Sequence, residues 1–297
     1  MDNDKLKELE KKDTINDTSL NVETKDELGY IKVSIKELPS KGLFYPADIY
    51  IGIKPATVKE IRQWSMIDET DEYSFIEAVD FVLKQCVILK TGKGQRLSIS
   101  DLCEVDRLYL VFAVRERTFE PGTNDIYVDV PYTYKGEEYK DSVHITKDKL
   151  VYFDIPEKIM KFYNETKRCF VVEGDKNEFN VRLASVGISQ WITNYAREKV
   201  RENKPFDEFF IKVSPFLLTD YENMKKEEFF NMEVESQAWG PKDISVLDRI
   251  TQIFSEGAKS GFNHKTKHGG EEVVVPLNFR GGVKSLFIIS DALGELD

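Results

Sequence analysis

Two histidines four residues apart, His264 and His268 in "HKTKH", are the closest this sequence comes to a metal site. Two imidazoles can share a transition-metal ion, and the Gly269-Gly270 that follows suits a turn between ligand-bearing strands, as in a zinc ribbon. A structural zinc takes four ligands, and none of the cysteines, Cys86, Cys103 and Cys169, lies nearby in sequence. The glutamate and helical setting of an H-E-x-x-H metalloprotease are missing as well. The plainer reading is a pair of solvated histidines in a basic loop, so the metal assignment stays a weak candidate and no cofactor is expected.

Other stretches look chemical only at first. "TGKGQR" at 91–96 lacks the G-x-x-x-x-G-K-[ST] spacing that converges backbone amides on a phosphate, and it reads as a connecting loop. Cys86 and Cys103 fall on apolar helix faces, where cysteine acts as a small hydrophobe. His144 ends a strand with no nucleophilic serine motif in view. Glu137–Glu138 and Glu271–Glu272 sit in turns, where adjacent carboxylates point apart instead of facing each other across a cleft. The residues therefore argue for no catalytic constellation, and the chain is expected not to be an enzyme.

The totals fit that reading. A length of 297 residues with 41% hydrophobic and 32% charged side chains allows a sizeable core under a wet surface. The net charge of −11 argues against non-specific binding to nucleic acid or anionic membrane. An odd number of widely spaced cysteines is a reducing-compartment pattern. No secretory leader pattern and no run of about eighteen apolar residues is present. Aromatic residues make up 12% of the chain, a content that serves either interfaces or a core.

The elements expected to position these residues are of mixed type, an α+β fold. Residues 1–28 carry few large apolar groups and read as a disordered polar tail. Residues 29–120 read as a hairpin packed on three helices. "YIKVSIKEL" and "DIYIGIKP" alternate as strands around a loop of about nine residues. Thr57 and Glu60 form a T-x-x-E capping box. "EYSFIEAVDFVLKQCV" has helical spacing, and "SDLCEVDRLYLVFAVRERTF" reads as a helix capped by Ser100 or Asp101. Residues 121–175 hold a hairpin with a Lys135-Gly136 turn. Residues 176–258 read as mainly helical. They end in an amphipathic helix that starts near Pro241 and puts Ile244, Leu247, Ile250 and Phe254 on one face. Residues 259–297 read as β again. "YKGEEYKDSVHI" and "HGGEEVVVPLNF" share a Gly-Glu-Glu turn, which leaves an internal repeat open beside chance similarity.

The loop of the first hairpin, "LPSKGLFYP", presents Leu43, Phe44 and Tyr45 directly after a Pro-Ser-Lys-Gly turn. With its flanks it carries a resemblance. L-P-S-K-G-x-x-Y-P, then an I-x-I-x-P strand and a T-x-x-E-I helix start, forms the first block. Leu102, Asp106, Arg107, Leu110, Arg115, Thr118 and Phe119 form the second, L-x-x-x-D-R-x-x-L-x-x-x-x-R-x-x-T-F. "HGGEEVVVPLNF" is the third. In these blocks the chain resembles the baseplate hub subunit and hub assembly family of T-even-type contractile-tailed bacteriophages. The match is best over about 30–120 and the last forty residues. The Cys-x-x-Cys-Gly knuckle expected before the last block is missing here.

The resemblance implies a non-enzymatic structural or assembly protein of a phage tail baseplate, made in the bacterial cytoplasm and located in the virion. Its partners would be other tail proteins, with self-association open and neither nucleic acid nor membrane bound. A degenerate zinc-ribbon-like adaptor or metal-dependent enzyme is the alternative. Leu38, Pro39, Lys41, Gly42, Leu43, Phe44, Tyr45 and Pro46 are the candidate partner interface. Against that stands a purely structural loop with Phe44 buried in its own domain. One expectation follows from composition alone: a chain starting at Gly29 should keep its thermal midpoint within a few degrees. About 1 kcal/mol moves the midpoint of a chain this large by only ~2–4 °C, and a collapse in soluble yield would show that the tail packs.

Overall fold

The computed structural model describes residues 29–68, 72–119, 126–145, 151–153, 155–217, 224–260, 263–268, 271–276 and 286–287, so the expectation for residues 1–28 lies outside it. The first strand is shorter than its alternation suggests. β1 (Ile31–Lys32) pairs antiparallel with β2 (Tyr50–Ile53), and the last ladder-like bond runs from the Val33 amide to the Ile51 carbonyl at 2.8 Å. The chain then winds through successive turns, in which Lys41 donates to Leu38, Leu43 to Ser40 and Tyr45 to Gly42. Pro39 has no N–H to extend a ladder. Lys41 and Gly42 adopt left-handed φ values of 52° and 75°, and a side chain on Gly42 would also press into Ile35.

β2 continues the sheet through β3 (Val87–Lys90), which pairs in turn with β4 (Arg96–Leu97), giving an antiparallel order β1-β2-β3-β4. The β3 run Val-Ile-Leu-Lys is not separable in sequence from the helix before it, because three consecutive apolar residues show no period of their own. "TGKGQR" connects β3 to β4, with the Thr91 amide donating to the Gln95 carbonyl at 2.9 Å and Gly94 at φ 80°.

α1 (Val58–Ser65) starts at the expected capping box, where the Glu60 carboxylate accepts from the Thr57 amide at 2.7 Å. α2 (Glu72–Cys86) follows. The next helix, α3 (Arg107–Thr118), begins five or six residues later than a cap at Ser100 or Asp101 would place it. Two 3-10 turns, Ile99–Asp101 and Glu104–Asp106, occupy the intervening stretch. The cause is tertiary. The Glu104 amide donates to Ala184 and Leu102 accepts from Val186, so these backbone groups are taken by another part of the chain before a helix can claim them.

β5 (Ile126–Tyr134) and β6 (Glu137–Ile145) form the expected hairpin. Its two central residues, Lys135 and Gly136, both have positive φ, as a type I′ turn requires. β7 (Val151–Phe153) precedes α4 (Glu157–Met160) and a small antiparallel sheet in the order β10-β9-β8, made of β8 (Tyr163–Asn164), β9 (Cys169–Glu173) and β10 (Glu178–Val181). Four helices follow: α5 (Val186–Arg201), α6 (Glu208–Leu217), α7 (Lys226–Ser236) and α8 (Pro241–Gly257). Leu247, Ile250 and Phe254 of α8 are buried as expected, whereas Ile244 stays 42% exposed.

β11 (Ala258–Ser260) returns to pair with β7, and β12 (Asn263–His268) pairs with β13 (Glu271–Pro276). The two hairpins whose sequences echo each other adjoin, with Tyr134 donating to Glu271 at 2.7 Å. Leu286 and Phe287 lie in a 3-10 turn rather than a strand.

The segments read separately from sequence share one core. Phe44 from the first loop sits 6.1 Å from Phe170 of β9 and 6.5 Å from both Tyr163 and Phe254, ring centre to ring centre. Phe287 packs 5.0 Å from Trp64 of α1. A smaller satellite core holds Ile188, Ile192, Tyr195, Phe210 and Phe229 between α5, α6 and α7. Phe44→Ala should therefore destabilise the free protein by about 3–5 kcal/mol, the usual cost of emptying a buried aromatic site. Urea unfolding of the purified variant measures this, and a loss below about 1 kcal/mol would contradict the packing.

Candidate functional site

The first two blocks of the family-like pattern meet at one buried carboxylate. Asp106 closes the second 3-10 turn before α3 and is fully buried. One of its oxygens accepts from the Ser40 amide at 2.8 Å. The other accepts from the Ser40 hydroxyl at 2.6 Å and the Tyr45 phenol at 2.7 Å. The Tyr45 oxygen in turn accepts from the Cys103 amide at 2.8 Å. Three donors directed at a carboxylate are what a buried charge requires.

The other side of the loop is held just as closely. The carbonyls of Leu43, Phe44 and Tyr45 accept in turn from Tyr163, Arg182 and Arg168, which lie on or beside the β8–β10 sheet. Neither Arg168 nor Arg182 stands out in the sequence, since a single arginine near a strand carries no local signal of a backbone contact more than 120 residues away.

The rest of the second block is equally engaged. Arg107 bonds Asp80 of α2 through Nε at 3.1 Å and Glu104 at 3.0 Å, while Gln190 of α5 reaches the second Asp80 oxygen at 2.8 Å. Arg115 donates to the Leu286 carbonyl and lies over the Phe119 ring. The Thr118 oxygen accepts from the Ala56 amide at 2.9 Å, which joins the end of α3 to the entry of α1. Leu102 and Leu110 are fully buried.

This geometry places most of the candidate partner interface inside the chain and favours the structural reading of the loop. Leu38, Pro39, Gly42, Phe44 and Tyr45 are buried within the chain, Leu43 is half-buried, and only Lys41 and Pro46 are exposed. The large side chains that looked like docking groups face the chain's own sheet and helices, so they form no surface in this conformation. A Ser-Asp-Tyr cluster can suggest catalysis, but Ser40 and Asp106 are both 0% exposed, so the hydroxyl meets its carboxylate and no substrate.

The remaining candidates are dispersed. His264 and His268 fall on one extended strand, at register positions opposite Val275 and Glu271. A strand spaces residues four apart by about 13 Å, where a helix would stack them one turn apart. Among the described residues no group of three or more His, Cys, Asp or Glu side chains converges on a common point. Burial holds the Cys86 thiol up at about 12 and raises Cys103 and Cys169 as well, so all three stay protonated and poorly nucleophilic. His144 stacks on Tyr127 at 4.9 Å.

Burial pushes the Asp106 carboxyl up to about 6, against the pull of its bonds from Ser40 and Tyr45. A carboxyl whose folded value exceeds its unfolded one takes up a proton on folding between the two. Its contribution is therefore greatest below about pH 4 and is lost as the pH rises through about 6, a swing of roughly 3 kcal/mol. Asp106→Asn removes that dependence. The stability difference between wild type and Asp106→Asn, measured by urea unfolding, should move in favour of wild type as the pH falls from about 7 to 4.5. A difference that stays constant would show that this carboxyl keeps an ordinary value.

In comparisons with protein-family models, curated proteins and solved structures, nothing matches this chain.

Proposed function

We propose that this chain is a non-enzymatic structural or assembly protein of a contractile-tail baseplate, working through protein–protein recognition. The observation that carries the reading is the junction at Asp106. The L-P-S-K-G-x-x-Y-P loop and the D-R helix start, which together give the chain its resemblance to phage hub proteins, interlock as one unit. Their polar groups are engaged with one another, as in a module whose motif residues preserve shape. Recognition would then fall to side chains outside the motifs, on the helix faces and hairpins that the junction holds in place.

Under this reading the chain associates with other tail proteins encoded beside it. Co-expression with its neighbouring tail genes followed by affinity capture should recover at least one partner. Mass spectrometry of purified virions then tells a resident component from an assembly factor that departs. A chain that captures none of these proteins and is missing from the virions would overturn the proposal.

A further inference from the structure

Arg168 and Arg182 fall at the same end of the β8–β10 sheet. Arg168 lies just before β9 and Arg182 just after β10, and the antiparallel register sets Phe170 opposite Val181. Both side chains turn to the first loop and donate to carbonyls of adjacent residues, Arg168 to Tyr45 and Arg182 to Phe44, the latter at 3.3 Å. Two like charges are thereby held against one short stretch of backbone. Each arginine is half-buried. Burial raises the Tyr163 phenol beside them, and Arg168 and Arg182 both pull it back down.

Neither guanidinium has a counter-ion among the described residues: each makes its one bond to a loop carbonyl and no ion pair. The carboxylates that act on the same neighbours are placed otherwise. Asp106 accepts from Ser40 and Tyr45, Glu178 pairs with Lys167 at 3.0 Å, and Glu165 is exposed. Arg182 Nε is buried and meets no acceptor among the described residues. A buried N–H left unmatched is costly, and so is holding two cations together. Arg168 also keeps a left-handed φ of 52°, a conformation that residues other than glycine adopt at a cost. The loop carbonyls are neutral acceptors, and they leave both charges uncompensated.

We propose that Arg168 and Arg182 form an oxyanion-binding site, in which one phosphate group, or one carboxylate from an acidic segment of a partner protein, accepts from both guanidiniums. The planar fork of arginine meets such groups through paired hydrogen bonds, which an ammonium group cannot match. The bound anion offsets the repulsion between the two cations and braces the Leu43–Tyr45 backbone that the same arginines hold. The site stands whether or not the chain serves a baseplate.

Calorimetric titration of the full chain tests this with two probes, inorganic phosphate and a tetraglutamate peptide, at an ionic strength fixed with sodium chloride. At least one should bind at a single site with a dissociation constant of about 1 mM or tighter, and the tighter of the two identifies the source of the anion. Arg168→Gln and Arg182→Gln should each weaken that probe by ~10-fold or more, the effect of losing a charge-assisted hydrogen bond. Arg201→Gln, which removes an exposed charge from α5, should leave it unchanged. Circular dichroism melting checks that the variants stay folded, and if Arg182→Gln does not, Arg168→Gln decides. Three results would each overturn the proposal: neither probe binding at ~10 mM, ten-fold above that constant, binding that survives Arg168→Gln, or binding that Arg201→Gln weakens as much.

Discussion

The Asp106 carboxylate is the group on which the arrangement of the first half of the chain depends. Among the described residues it has no cationic partner in an ion pair, and three hydrogen bonds from Ser40 and Tyr45 offset part of the lost hydration. Each donor comes from an irregular loop that has no ladder of its own after Val33. The bonds therefore act in both directions: the loop solvates the charge, and the charge gives the loop one conformation. Removing either partner would leave the other buried and unmatched, which is the costly case.

From that point α3 works as a spine whose polar residues each reach a different element. Arg107 ties it to α2 and, through Asp80, to α5. Thr118 ties it to the entry of α1, and Arg115 to the segment at Leu286. Buried ion pairs of this kind add little net stability, because desolvation offsets attraction. Their geometric demands are strict, and they select one packing of helices that apolar contacts alone would tolerate in several. The aromatic cluster of Phe44, Phe170 and Phe254 supplies the non-directional part of the energy.

This division of labour bears on function. Most residues of the first two motif blocks are inside, holding shape, and under the proposed function recognition falls to helices and hairpins that carry no motif. Phe230 and Val234 on α7 and Val200 on α5 are exposed apolar side chains of this second kind, each interrupting a polar helix face.

Local chemistry was legible wherever the determinant lay within a few residues. The Thr57–Glu60 capping box, the Lys135-Gly136 turn, the Pro241 start of α8 and the α+β class could all be read from neighbouring side chains, because their determinants lie within one to four residues. Cys86 was legible as a buried small hydrophobe on a helix face, whereas Cys103 is buried between two 3-10 turns and not on a helix. Only the tertiary structure decided the rest. Whether "LPSKGLFYP" docked a partner or packed inward depended on Asp106, more than sixty residues away, and on Arg168 and Arg182, more than 120 away. The start of α3 moved to Arg107 because Ala184 and Val186 had already taken the backbone groups of Leu102 and Glu104. Contacts of that range leave no periodicity in the chain, and a buried carboxylate looks the same in sequence as one on the surface.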